Sequence, residues 1–151
     1  WPGLPDPGPP DFVLTVAGEA VYDDVVRLAA LRLETRFVTE GRADPAIVAW
    51  HGDTLSGWWA PGADGARRLR ELGKRLARHP DTLAVGIFGL GEDEIEGERV
   101  PMIALAMERP SGDPVLWLRR FRRMPNNAAK WVDSGGRIRR PGPSLRWFGQ
   151  G

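Results

Sequence analysis

The sequence predicts a single α+β domain of about five mostly antiparallel strands, with two helices on one face of the sheet and an extended arm at each end. Three observations carry this. Two segments repeat apolar residues at the helical period, five short segments have strand composition, and both termini give up periodicity for proline, glycine and charge. At 151 residues the chain is long enough to bury a core as one domain. With no cysteine, a disulfide scaffold, a thiol nucleophile and cysteine-ligated zinc are all excluded.

Residues 1–11, WPGLPDPGPPD, hold five prolines and read as an extended N-terminal arm. The globular domain is expected over residues 12–123. It opens with a short apolar run, Phe12 to Val16, whose type the sequence leaves open. Gly18 to Arg36 reads as an amphipathic helix: Val21, Val25 and Leu28, with Tyr22, Val26, Ala29 and Leu33, form a wide apolar face. Ala46 to Trp50 is a compact strand, His51-Gly52-Asp53 a turn, and Thr54 to Ala60 the returning strand. Strand alternation sends Trp58 and Trp59 to opposite faces, so one of them needs cover from elsewhere.

Asp64 is placed to cap a second helix, Gly65 to Arg78, with Leu69, Leu72 and Leu76 turned to the core. Pro80 stops it, because the residue before a proline avoids the helical region. Leu83 to Leu90 is almost continuously apolar, the pattern of a central strand buried on both faces. The acidic stretch Gly91 to Glu98 reads as a turn, Val100 to Glu108 as the return strand and Val115 to Arg122 as the last strand. From Met124 on, Pro125, Gly135-Gly136 and Pro141-Gly142-Pro143 mark a C-terminal arm, residues 124–151. The resulting order, α-β-β-α-β-β-β, resembles that of roadblock and profilin-like domains. This is a likeness of element order alone, and it implies a dimerising or scaffolding module.

Charge is distributed unevenly. From Trp117 to Gly151 there are nine bases and one acid, Asp133, whereas the preceding 116 residues carry twelve bases and nineteen acids. A basic tail on an acidic body points to an anionic partner or to an acidic patch on a neighbouring copy. The tail sets Arg137, Arg139, Arg140 and Arg146 among the aromatics Trp131, Trp147 and Phe148, and Trp1 gives the N-terminal arm similar character. Large aromatics spaced along polar arms suit anchoring on a partner protein. The same interleaving of cations and rings suits single-stranded nucleic acid, although no recognised nucleic-acid motif accompanies it. Glu92, Asp93, Glu94, Glu96 and Glu98 form an acidic counter-surface that can meet the arginines of the same or a neighbouring subunit. The second helix adds Arg67, Arg68, Arg70, Lys74, Arg75 and Arg78 against Glu71 alone.

Catalytic signals are weak. His51, Asp53 and Ser56 crowd one hairpin, but nothing in their spacing makes them converge as a nucleophile, base and orienter. Gly89-Leu90-Gly91 runs into five acids that repel phosphate, and no Walker, HExxH or GxSxG pattern occurs. The acidic stretch matches no EF-hand spacing, so neither a metal nor another cofactor is expected. No apolar run approaches the ~20 residues that span a bilayer. The chain is therefore expected to be a non-enzymatic structural or accessory subunit, cytoplasmic or particle-associated, that joins copies of itself or other subunits through its arms. Assemblies of this kind include phage and other bacterial particles. The alternative is a nucleic-acid-binding accessory protein that uses the tail.

Overall fold

A computed structural model describes residues 8–148, apart from 18, 42, 61–63 and 127. The elements in chain order are β1 (Phe12–Thr15), α1 (Tyr22–Glu40), β2 (Ala46–His51), β3 (Thr54–Trp59), α2 (Gly65–Arg78), β4 (Thr82–Ile95), β5 (Glu98–Glu108), β6 (Val115–Arg123), β7 (Ala129–Trp131) and β8 (Arg137–Arg139). The class is α+β, as expected, but the sheet has eight strands rather than five. Its order is β1-β3-β2-β4-β5-β6-β7, with β8 beside β7 on β6, and every pairing is antiparallel. The three additions are the short run at Phe12 and two strands within the C-terminal segment that was expected to be an arm.

The helices lie on opposite faces of the sheet, not on one. Along β2, Ala46 and Val48 belong to the core under α1, while Ile47 and Ala49 belong to the core under α2. The topology explains this. The antiparallel order makes β1 parallel to β2 and β3 parallel to β4, so β1-α1-β2 and β3-α2-β4 are both crossovers that skip one strand. Both step the same way along the sheet, but from strands that point in opposite directions. Crossovers of a single hand must then carry their helices over opposite faces. Without β1 as a strand, the first crossover is invisible, and one-face packing looks sufficient.

Two covered faces account for the tryptophan pair. Trp58 is buried under α2, and Trp59 packs on Phe12 with a ring separation of 4.9 Å. They also account for the apolar run of β4, where Ala84 and Phe88 face α1 and Val85 faces α2. Helix α1 ends at Glu40, four residues later than its periodicity suggests; the Gly41 N–H still donates to the Phe37 carbonyl, and the left-handed conformation of Gly41 (φ 72°) turns the chain out of the helix. Asp64 makes no side-chain cap on α2.

The acidic stretch is strand rather than turn. β4 and β5 pair continuously out to Ile95 and Glu98, and the reversal is confined to Glu96-Gly97, both with positive φ (50° and 81°). Two such residues are what a two-residue hairpin of matching twist requires.

Helix α2 spans β2, β3 and β4. The same sheet face is completed by the C-terminal segment, whose Trp147 is buried in that core with Leu145 and Phe148 packed against it. Gly73 of α2 makes room for the indole: a Cβ there would lie 2.6 Å from the ring. Replacing Trp147 with Ala removes a core side chain and is expected to cost about 3–5 kcal/mol in chemical denaturation. An unchanged midpoint would mean that the segment is an ornament on a core already complete.

Candidate association surface

The described part of the C-terminal segment is laid along its own sheet, and three sets of contacts hold it there. The first is aromatic. Trp131 is half-buried, with ring centres 5.7 Å from Phe37 and 6.2 Å from Phe121, and the Arg119 guanidinium lies 3.9 Å above it. Trp147 and Phe148 close the opposite face. These three residues, expected as anchors on a partner, are committed to the chain's own cores. The reason is geometric: β7 and β8 return beside β6, which brings Trp131, the last residue of β7, and the rings that follow β8 back over the sheet. Trp1 lies outside the described residues.

The second set centres on Asp133, the one acid of the basic region. Its carboxylate accepts from Arg120 Nε at 2.9 Å, from Arg120 Nη2 at 2.7 Å and from the Arg120 backbone N–H at 2.9 Å. These hydrogen bonds, chiefly from the Arg120 side chain, hold its pKa down at about 2 against partial burial. Asp133 thus fastens the β7–β8 loop to β6 where ladder pairing is interrupted. Glu108 does the same further along: nearly buried at the end of β5, it accepts from the Ser144 hydroxyl at 3.1 Å and from the Trp147 backbone N–H at 3.2 Å.

The third set joins the basic region to acids distant in sequence. Asp93 of β4 is shared by Arg139 at 3.3 Å and by Arg120 and Arg137 at 3.8 Å. Partial burial raises its pKa, but the Glu94 backbone and the arginines outweigh this and leave it lowered. Strand alternation puts Asp93, Arg120, Arg137 and Arg139 on one face, so the charge split along the sequence is closed in part by folding. Arg122 pairs with Glu98 at 2.8 Å, Arg119 with Glu34 of α1, and Arg140 with Asp23 of α1. Arg146 is exposed.

What folding does not neutralise lies elsewhere. At the β4–β5 tip, Glu92 reaches Arg99 at 3.5 Å, whereas Glu94 and Glu96 are exposed and have no charged partner among the described residues. On α2 the six bases are all exposed; Lys74 meets Glu71 at 3.5 Å, but Arg67, Arg68, Arg70 and Arg78 have no acidic partner among the described residues. Between α2 and β3 runs an open groove of about 720 Å³. Trp58, Leu69 and Leu72 form its apolar floor, Arg67, Arg68 and Arg75 its basic side, and Asp64 and Glu71 also line it. Helical spacing revealed the basic face in the sequence, but the groove needed the position of Trp58 opposite it.

His51, Asp53 and Ser56 do not form a catalytic set. Ser56 is buried, and His51 turns to Asp81, at 3.8 Å, and to the His79 ring, at 6.1 Å. Among the described residues no cluster of His, Asp or Glu could hold a metal ion, and no helix is long and apolar enough to cross a membrane. Compared with known proteins, the chain matches no family model, no curated protein and no solved structure.

The Asp133 contacts give a pH signature. A carboxylate whose pKa is lowered on folding stabilises fully above its ordinary range near 4, and loses that contribution as pH falls through its folded value near 2. The stability gap between the native chain and Asp133→Asn is therefore expected to be constant above about pH 5 and to shrink between about pH 4 and 2. A gap that stays constant down to pH 2 would show that the carboxylate charge plays no part.

Proposed function

We propose that this protein is a non-enzymatic structural or accessory subunit that works by association with other protein subunits, either copies of itself or the components of a larger assembly such as a phage or other bacterial particle. The observation that carries the reading is the pair of opposite charges left unmatched at separate places among the described residues: exposed Glu94 and Glu96 on a projecting hairpin, and exposed Arg67, Arg68, Arg70 and Arg78 of α2, the first two beside an apolar groove. Complementary charged surfaces on a rigid body steer and orient protein partners. The C-terminal segment contributes through its charged heads rather than its rings. Arg137, Arg139 and Arg140 are each about half-exposed even while paired (51%, 47% and 47%), so an acidic partner can share them.

The basic face of α2 also favours a second reading, binding of nucleic acid. It is the weaker one, because the rings that would stack on bases are occupied. Trp131 lies under Arg119, Trp147 is buried, and Trp59 carries the Arg36 guanidinium at 4.1 Å.

Light scattering at low and high salt, with the absorbance ratio at 260 and 280 nm recorded across the same peak, separates the two. A particle heavier than the 16.7 kDa chain and free of nucleic acid is the expected result. A monomer that carries nucleic acid and sheds it steeply with salt would replace the first reading with the second.

A further inference from the structure

We infer that the β4–β5 hairpin tip of one copy docks in the α2–β3 groove of the next, so that the chain associates head to tail with itself. This rests on the association reading and names the surfaces that carry it. The groove offers an apolar floor, Trp58, Leu69 and Leu72, beside the guanidinium groups of Arg67 and Arg68. The tip offers the complement, with half-buried Ile95 between the exposed carboxylates of Glu94 and Glu96. At about 720 Å³ the groove falls within the roughly 300–1,000 Å³ of sites that enclose a ligand of a few side chains' size. Asp64 is the acid left to oppose the tip, because Glu71 is engaged by Lys74.

The tip is built to enter such a site. Its reversal takes two residues, and its strands are paired to the last residue, so little order has to be gained on docking. Its root is held by the three arginines on Asp93. The tip cannot serve its own groove. Trp59 at the groove end of β3 is level with Ala46 of β2 and Phe88 of β4, and Ile95 lies seven residues further along β4, about 23 Å beyond. The contact is therefore between copies. A tip and a groove are different surfaces, so two copies either exchange them reciprocally in a two-fold pair or pass them on from copy to copy in a ring or an open chain.

Two variants test this, both at exposed positions that leave the cores intact: Arg67→Ala/Arg68→Ala in the groove and Glu94→Gln/Glu96→Gln at the tip. Sedimentation of the full chain is expected to show a species larger than the monomer, which dissociates about tenfold more readily in either variant and more readily in high salt. Mixing the two variants restores one interface only, tip of the first in groove of the second, and is expected to give a mixed dimer that grows no further. If the native chain associates and both variants associate equally well, the hairpin–groove contact is wrong while the association reading stands. A native chain that is monomeric at every concentration up to the millimolar range would remove both the contact and the self-assembly.

Discussion

The constraint on which the structure depends is that both faces of one sheet must be covered, while the described residues form two helices. Helix α1 lines one face along β5 and β6, and α2 lines the other over β2 to β4. The remainder of the second face falls to the C-terminal segment, whose Trp147 fills the space that Gly73 leaves beside α2. A large buried aromatic and a nearly buried carboxylate, Glu108, occur together here, and the backbone N–H of Trp147 and the Ser144 hydroxyl give that carboxylate the hydrogen bonds its burial requires.

Arginine takes a second role from the same constraint. A segment of irregular backbone cannot be held by ladder bonds alone, and the sheet face it crosses is too polar for apolar packing throughout. Guanidinium groups meet both needs, since each donates several hydrogen bonds in one plane and can lie flat on a ring. Arg120 grips Asp133 and reaches Asp93, while Arg119 covers Trp131 and pairs with Glu34. The basic region is thus largely internal fastening. Among the described residues, exposed Glu94 and Glu96 at the hairpin tip and Arg67, Arg68, Arg70 and Arg78 of α2 take no part in this fastening.

Much of the fold was legible. Helix α2 ends where the proline predicts, and the apolar run of β4 correctly signals a strand covered on both sides. Local pattern could not reveal which elements share a face, because that depends on strand direction, and direction depended on accepting four residues, Phe12–Thr15, as a strand. The acids from Glu92 to Glu98 looked like a loop because charge is common in loops; their alternation along a hairpin was equally present, but it took the arginines of β6 and β8 to make it favourable. At the candidate site, the opposing charges of tip and helix were readable from composition. The fate of Trp131, Trp147 and Phe148 was not, because an aromatic that anchors to a partner and one that anchors to its own sheet look alike in sequence.

The C-terminal segment is part of the core, and hydrogen exchange of the Trp147 backbone amide tests that most directly. Protection close to that of the β4 amides is expected, since this N–H donates to a nearly buried carboxylate beneath a packed indole. Exchange at the rate of free chain, with β4 still protected, would contradict it: the segment would then be a loose arm and its aromatics free to bind elsewhere.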